Sequence, residues 1–511
     1  MADYISAISQ GGTTAENLNV DDVQTWSNGP SKDTGDLRRK FNFGAQVSEL
    51  AIAQDPFFRF VSKVSKRSTD DPAFKFTEKR PSYHKRYCYV VSHGTTSAAS
   101  TTDPTIVAGN VDAGDTYYVK FGTDYKNTGN IGVVYNNSNA SNFQVGDSDT
   151  QPSFLVTDQL IKMNFRAAAE ASAFYTATGY LVGKIKSTTS SGNYIIAELD
   201  IVKGTASSVD FIGSSATVLW TASTNTHDLT VSSQLEVARC YVVGTAHAEG
   251  SGYPETWKDQ PYSTGFGLTQ IWKTSMAMTN TARATVLKYE PNEWARVWKD
   301  KLVEHKWDIE QSLLFGAQGS QNGVQYTEGA VDFLTNYCNT FSLSINTKTA
   351  EDFLDDMSIF LDPRVNNSNA TVFFVSTAVY NWLHKLGGYF SNNLNINSNF
   401  SADLAVTGRK KVLGLDATTI QTVYGDMNVV RNIHLDGTAV KIAAINMKYA
   451  KYRPLVGNGV NRDTSVYVGV QTLENSGVDR RVDLILTEAG MDWSMPEAHA
   501  IWSLGWEIDY G

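Results

Sequence analysis

The sequence predicts an α+β fold, because its helix and strand patterns follow one another without regular strand–helix–strand alternation. A long helix pattern lies within residues 267–320, where it follows a strand pattern. A region rich in Ser, Thr, Gly and Asn, with strand signals, fills residues 92–236, and the last sixty residues read mostly as strands.

Length and composition indicate several cores and no membrane span. At 511 residues the chain allows roughly three domains of about 150 residues each. No apolar run approaches the ~20 residues that a membrane helix needs. The N-terminus lacks the basic-then-apolar order of a secretion signal, so we expect a protein that is made and used without export.

The charge and the cysteines restrict the function further. A net charge of −10 argues against direct coating of nucleic acid, which favours basic stripes. It is compatible with enclosing nucleic acid at a distance, because an acidic wall does not adhere to phosphates. Three cysteines do not make a disulfide framework, so we expect free thiols in a reducing compartment.

Two similar strand segments bracket the Ser- and Thr-rich region. They are RYCYVV at 86–91 and RCYVV at 239–243. We predict that they pair as antiparallel neighbours at the base of a β-rich insertion (92–236), which would make Cys88 and Cys240 neighbours in one sheet. Residues 1 to about 40 are polar and read as an extended arm that orders only by packing on something else.

Turn residues between strand patterns predict three hairpins. The predicted strand pairs are 117–121 with 131–135, 179–186 with 194–202, and 429–434 with 439–445, the last across Asp436-Gly437.

The long helix is predicted to run from Pro291, which suits a first turn, to Gly316, placed to end the helix near the left-handed position. It would cover about 25 residues, or roughly 38 Å. Apolar residues recur at helical spacing while charged residues, Glu310 among them, face elsewhere. The predicted apolar stripe is Trp294, Val297, Trp298, Leu302, Ile309 and Leu313.

Local signals also define the segments after the long helix. Thr349 is predicted to cap a helix, with Asp352 near its positive end. A buried strand is expected at 370–376, followed by a helix through Leu383. Residues 391–401 read as an Asn-rich exposed loop.

Motifs with known chemistry are incomplete in this chain. Residues 179–184 resemble a phosphate-binding loop, but only three residues separate the glycines and Ile185 stands where Ser or Thr would hold the metal. His247 and Glu249 have the spacing of zinc deaminases, but no Pro-Cys-x-x-Cys follows. We therefore expect no nucleotide or zinc site at either position.

The remaining polar clusters also predict no catalytic constellation. His305 and Asp308 are interpreted as a solvated or interfacial polar pair, in preference to a catalytic one. Asp355-Asp356 and Asp21-Asp22 are interpreted as solvated faces, since adjacent helix positions point about 100° apart. The sequence therefore predicts no catalytic, cofactor-binding or metal-binding residues, no cofactor and no enzyme activity.

Several short segments, in this order, resemble the major capsid proteins of tailed bacteriophages, which share the HK97-like shell fold with encapsulins. The similar segments are 244–250, 269–271 with 281–282, 292–310 with 314–316, 424–430 and 471–474.

The resemblance implies a division of the chain into the parts of that fold. These are an N-terminal arm (1–55), the start of a peripheral domain with an extended-loop strand (56–91), a β-rich insertion (92–236), a returning extended-loop strand (237–259), the peripheral domain with its spine helix (260–329), an axial domain (330–450) whose tip would be 391–401, and peripheral C-terminal strands (451–511). The insertion departs from the usual extended loop. Because the chain starts at Met1, we expect no maturation cleavage.

The function implied by the resemblance is that of a major capsid protein, which self-assembles through rings of five and six into the icosahedral head of the virion. It would assemble in the host bacterial cytoplasm, enclose double-stranded DNA without reading its sequence and contact no membrane. Further partners would be portal, scaffold and cement or decoration proteins. The alternatives are another virion component, such as a tail-tube or surface adhesin protein, and, more distantly, a carbohydrate-active enzyme.

Overall fold

The computed structural model describes residues 55–79, 86–94, 110–123, 151–167, 179–211, 239–254, 262–286, 292–361, 363, 370–393, 404–412, 415–422 and 424–504. The predicted N-terminal arm before Asp55, Asp21-Asp22, the strand expected at 131–135, Pro291 and residues 394–401 of the Asn-rich loop lie outside the described residues. The loop prediction was wrong for residues 391–393, which are the last residues of a helix.

The described residues contain the predicted long helix, α3, with shorter helices before and after it. They are α1 (Pro56–Val64), α2 (Asn280–Ala284), α3 (Glu293–Phe315), α4 (Ala330–Tyr337), α5 (Ala350–Phe360), α6 (Thr377–Asn393) and α7 (Leu473–Ser476), with short 3-10 turns at Ile433–Leu435 and Pro496–Ala498.

The strands before α3 are β1 (Ala73–Glu78), β2 (Tyr87–Gly94), β3 (Asn110–Val111), β4 (Thr116–Gly122), β5 (Gln159–Ala167), β6 (Gly179–Ser191), β7 (Tyr194–Lys203), β8 (Thr205–Phe211), β9 (Cys240–Thr245), β10 (Ser263–Leu268) and β11 (Gln270–Thr279). Those after it are β12 (Gly319–Gln321), β13 (Val324–Tyr326), β14 (Asn339–Ser342), β15 (Thr371–Val375), β16 (Leu404–Val412), β17 (Leu415–Thr422), β18 (Gly425–Arg431), β19 (Val440–Asn446), β20 (Ala450–Pro454), β21 (Val456–Gly457), β22 (Val460–Asn461), β23 (Ser465–Gln471), β24 (Arg480–Trp493) and β25 (Ala500–Ser503). This mixture confirms the predicted combination of helices and strands.

The chain divides into two compact units. One comprises Met1–Ile52 and Thr281–Arg296, of which residues 281–286 and 292–296 are described. There Arg296 forms an ion pair with Glu293 at 2.5 Å. The other unit comprises Ala53–Asn280 and Val297–Gly511 and contains the sheets and their cores.

The buried part of α3 is its C-terminal half. Ile309 and Leu313 of the predicted stripe are fully buried, whereas the four earlier stripe residues are only partly buried. They pack into a core with Trp272 of β11 and Phe57 of α1. β11 pairs along its whole length with β24, whose other edge pairs with β20 and β23.

The prediction that Glu310 faces away from the core was wrong. Its carboxylate is fully buried and accepts the backbone N–H groups of Phe57 at 3.0 Å and Phe58 at 2.5 Å, and the side-chain amide of Asn432 at 3.0 Å. A carboxylate at a helix N-terminus satisfies backbone donors that have no partner within the helix. Glu310 therefore fixes the first turn of α1 against α3.

A mixed seven-stranded sheet separates two cores. Its order is β14-β25-β19-β15-β18-β17-β16, with parallel pairs β14–β25 and β15–β18. Central β15 is buried at all five positions, as predicted for this segment. Phe374 packs on the side of α1 and α3, while Phe373 packs on the opposite side with α5 and α6. The predicted cap at Thr349 is confirmed, and Thr349 and Asp352 form a capping box at the start of α5.

The predicted hairpin between residues 429–434 and 439–445 was wrong. β18 and β19 do not pair with each other, because β15 lies between them and pairs with both. Asp436 instead accepts the backbone N–H of Thr377 at 2.6 Å at the start of α6.

Six of the described strands between Tyr87 and Thr245 close into an antiparallel barrel. β5, β6, β7, β4, β2 and β9 pair in that order, and β9 pairs again with β5. Closure leaves no open edge around this ring. The interior is filled by a separate hydrophobic cluster that includes Phe121, Ile161 and Leu199.

The strand pairing in the barrel tests the two hairpins that were predicted within the insertion. The 179–186/194–202 hairpin is confirmed as β6 and β7. The 117–121/131–135 hairpin was wrong, because both edges of β4 are occupied by β2 and β7. The bracketing segments do pair, as β2 and β9, with Cys88 opposite Cys240.

Gly316 ends the long helix, as predicted, but for a different physical reason. The φ of Gly316 does not lie in the left-handed region. A Cβ at this position would lie 2.5 Å from the carbonyl oxygen of Ser312. Its own carbonyl accepts the N–H of Gly329 at 2.8 Å. Close approach of two backbone segments, and not a positive φ, requires glycine here.

Candidate self-association surface

The incomplete motifs of the sequence lie apart from one another in the structure. Residues 179–184 lie inside strand β6, and Lys184 forms an ion pair with Asp158 at 2.8 Å. His247 and Glu249 are exposed after β9. Neither segment has the strand-to-helix turn or the ligand set that the corresponding chemistry needs.

The interpretation of His305 as a solvated or interfacial residue was wrong. Its ring is fully buried and lies 2.8 Å from the hydroxyls of both Thr274 and Thr487. Burial lowers the pKa of His305 to about 4. Asp308 is exposed on the neighbouring helix face, so the two residues do not form a catalytic pair.

The interpretation of Asp356 as a solvated residue was also wrong. Asp355 is exposed, but Asp356 is partly buried and accepts from Lys348 at 2.5 Å and from the indole N–H of Trp502 at 2.9 Å. Desolvation raises the pKa of Asp356 against the opposing effect of Lys348. The residue thus ties α5 to the C-terminal strand β25.

Among the described residues, no group of three or more His, Cys, Asp or Glu side chains is arranged to hold a metal ion. No helix in the described part of the chain combines the length and the apolar character needed to cross a membrane.

The main concentration of exposed apolar side chains lies on and beside strand β23. Three consecutive residues, Val466, Tyr467 and Val468, are 46%, 41% and 65% exposed. Consecutive residues of a strand point to opposite faces, so both faces of β23 are uncovered. We define the β23 surface as Val466, Tyr467, Val468, Val470, Leu473 and Val478, all of them at least 41% exposed.

A bulge explains why β23 stands partly away from its sheet. It pairs with β24 from Ser465 to Tyr467, and the register then shifts before pairing resumes at Gln471. Gly469 lies in the shifted segment with φ +68° and donates its N–H to Asp483 at 2.7 Å. Asp483 is buried and is also held by two bonds from Arg481, both 3.1 Å long. A bulge of this kind twists a strand and changes the direction of its side chains.

The chain after β23 extends the same surface. Thr472 and Asn475 form a capping box at the start of α7, and Gly477 ends this short helix in the left-handed conformation. These turns hold Leu473 and Val478 at the surface, 51% and 47% exposed. The surface therefore consists of apolar side chains on a locally well-defined backbone.

The arrangement is suited to association with another protein chain. In the described part of the molecule β24 is the one strand that pairs with β23, so no other described strand covers the outer edge of β23. Soluble monomers usually protect such edges, and clustered exposed apolar residues mark interaction sites. The geometry offers backbone pairing and apolar contact together.

Sequence reasoning predicted the β23 strand but missed its surface. The run VYVGV reads equally well as a fully buried strand, because apolar residues occupy positions of both faces. The signal that could have separated the two cases is Gly469 within the run, which marks a bulge. Burial of Glu310 had no comparable local signal.

Comparison with known proteins gives a family for nearly the whole chain. The family model described as SU10 major capsid protein matches residues 32–504. The chain is also similar to the major capsid protein of Pseudomonas phage PaMx41, at 23% identity over 284 residues, which are 51% of this chain and 64% of that protein. The match thus spans less than two thirds of the length of that relative.

Solved structures to which the chain is similar include one from Gordonia phage Cozz, at 12% identity and a TM-score of 0.32, covering 51% of this chain and 78% of that one. Another is the asymmetric unit of the mature capsid of bacteriophage PhiM1, at 10% identity and a TM-score of 0.33, again covering 51% and 78%. With the family model matching from residue 32 to residue 504, the chain belongs to the SU10 major capsid protein family.

Proposed function

We propose that this chain is the major capsid protein of a tailed phage, the subunit that assembles into the icosahedral head around double-stranded DNA. The family match over residues 32–504 is the observation that carries the proposal. The virion is then its location, and portal, scaffold and cement proteins are its further partners. Its role is structural, without a catalytic step.

Within this function we assign the parts of the chain to an HK97-like fold. Helix α3 serves as the spine helix of the peripheral domain, and the seven-stranded sheet with α5 and α6 forms the axial domain. β25 lies at one side of that sheet, between β14 and β19, so the axial domain takes in residues 500–503 from the C-terminal end. The barrel from Tyr87 to Thr245 occupies the extended-loop position as an inserted domain.

Self-association through the β23 surface supports the assembly role. A shell subunit must present apolar area to its neighbours, and contacts between identical chains close into rings when the rotation between them allows it. The exposed edge of β23 and the apolar residues beside it provide such an area.

The test is electron microscopy with light scattering on the protein expressed alone and in phage lysate. We expect closed or partly closed shells of megadalton mass from the native sequence. The double variant Val468→Asp/Val470→Asp should yield folded, unassembled subunits, because it places charges on the proposed contact. Val202→Asp, at a 56% exposed position on barrel strand β7, is the matched control and should assemble normally.

The outcomes distinguish a wrong contact surface from a wrong function. Normal shells from the double variant would show that β23 is not a contact between subunits, while leaving the shell function standing. Failure of the native sequence to form any large particle in both preparations would overturn the shell function itself.

A further inference from the structure

An open cleft lies between α1 and the middle of α3. Its volume is about 480 Å³, within the range of small-ligand sites. The described residues that line it come from α1 with its N-cap and from α3, and are Asp55, Phe58, Arg59, Ser62, Lys63 and Lys306.

The cleft is basic although the chain as a whole is acidic. Asp55 is the one carboxylate among the described lining residues, and it already forms an ion pair with Arg59 at 2.5 Å. Lys63 and Lys306 then add two positive charges that no carboxylate among the described lining residues neutralises. In a chain of net charge −10, this local excess favours an anionic ligand.

The walls of the cleft are held in place by contacts of Phe57 and Phe58. Glu310 accepts the N–H groups of Phe57 and Phe58, which fixes the first turn of α1. The Phe58 ring packs edge-on against Tyr452, with centroids 5.7 Å apart. Because the backbone that carries Arg59 and Lys63 is anchored, a ligand would not have to order it on binding, and the entropic cost of binding is reduced.

We propose that this cleft is a phosphate-binding site, in which Lys63 and Lys306 hold the anion from opposite helices. Lysine binds phosphate as a point charge, and two uncompensated lysines match the charge of a phosphate dianion. The same chemistry is offered by free phosphate compounds and by the backbone of a nucleic acid. The site is independent of the proposed assembly surface, which lies on β23.

The test uses the full-length protein with two probes, inorganic pyrophosphate and a double-stranded DNA oligonucleotide, titrated by calorimetry at low and moderate salt. We expect binding of at least one probe. The variant Lys63→Gln/Lys306→Gln should weaken that binding by tenfold or more, whereas Lys63→Arg/Lys306→Arg should retain most of it. Lys75→Gln/Lys299→Gln removes two exposed lysines outside the cleft and is the charge-matched control.

The two probes distinguish the sources of the phosphate. Binding of pyrophosphate that DNA does not displace identifies a free phosphate compound. If DNA binds, and the slope of its log affinity against log salt concentration falls by about two counterions in the Gln variant, the ligand is the nucleic acid backbone. Absence of binding by both probes at millimolar concentration, or equal losses in the cleft variant and its control, would overturn the proposal.

Discussion

Cys88 and Cys240 lie directly opposite each other on the antiparallel strands β2 and β9, although 152 positions separate them in the chain. Both are free thiols with no exposed surface. Cys338 is also a free thiol and is 3% exposed. Burial raises the pKa of Cys240 to about 12 and that of Cys88 well above its ordinary value. The thiolate, which is the reactive species, is therefore scarce in the folded chain.

The cysteines should consequently be inert until the chain unfolds. At pH 8 we expect none of the three thiols to react with a maleimide or an aromatic disulfide reagent on the time scale of minutes, and all three to react in denaturant. Thiol counting by absorbance or mass spectrometry measures this. Rapid labelling of Cys88 or Cys240 in the native protein would contradict the closed barrel.

Glu310→Gln should destabilise the docking of α1. The two oxygens of the carboxyl group, which the folded chain holds protonated at pH 5, accept three N–H donors, whereas an amide offers one acceptor oxygen and places an NH₂ group against the rest. We expect a loss of about 1–3 kcal/mol in the free energy of unfolding, measured at pH 5 by urea denaturation of unassembled subunits. The control is Glu304→Gln, since Glu304 is exposed on the same helix and pairs with Lys301 at the surface.

The same variant should change the pH dependence of stability. Burial raises the pKa of Glu310 to about 7, against the lowering effect of its N–H donors. Between its unfolded value near 4.5 and about 7, the folded chain keeps a proton that the unfolded chain has released, so the free energy of unfolding falls as the pH rises. Glu310→Gln should remove this contribution, making the substitution less costly at pH 8 than at pH 5. An equal cost at both pH values would contradict the raised pKa.

His305 should give the opposite pH dependence. Thr487 donates its hydroxyl to Thr464 at 3.1 Å, so it accepts from Nε2–H of His305, while Nδ1 accepts from Thr274. This arrangement holds a neutral ring, in agreement with a pKa lowered by burial to about 4. As the pH falls from about 6.5 towards 4, the unfolded chain takes up a proton that the folded chain does not, and stability is lost.

His305→Leu should therefore cost about 1–3 kcal/mol at pH 7, because it leaves the buried hydroxyl of Thr274 without its acceptor, and should weaken the loss of stability below pH 6.5. Urea unfolding at several pH values measures both effects. Some loss at low pH should persist, since burial lowers the pKa of His499 to about 4 as well. His247→Leu, at an exposed position, is the control. An unchanged slope between pH 6.5 and 4 would show that His305 does not carry this effect.

Sequence reasoning succeeded where the determining contacts are local. The capping box of Thr349 and Asp352 spans three positions, and the β6–β7 hairpin is set by a two-residue turn at Gly192 and Asn193. It failed where a distant segment intervenes. β15 enters between β18 and β19 from more than fifty residues upstream, and no turn signal at Asp436 reports that insertion.

The same distinction applies to Glu310 and to the β23 surface. Glu310 is buried because its donors are on α1, about 250 residues earlier in the chain, and the helical pattern alone places it among charged, solvated residues. The apolar run of β23 identifies a strand, but its exposure depends on which other strands reach its outer edge. Pairing partners and burial of charges are tertiary properties, and a single sequence reports them only weakly.

Gly316 and Gly329 bring the end of α3 into close backbone contact with the start of α4. A Cβ on Gly329 would lie 2.5 Å from the nitrogen and 2.6 Å from the oxygen of Gly316, distances at which backbone atoms must move. Since these backbone atoms end α3 and begin α4, we expect Gly329→Ala to reduce the free energy of unfolding by about 1–3 kcal/mol. Gly319→Ala is the control, because a Cβ there meets nothing within 4 Å and its cost should stay within about 0.5 kcal/mol. Equal unfolding midpoints for the two variants would mean that α3 and α4 tolerate separation at this point, and that the end of the long helix is not fixed by close backbone contact.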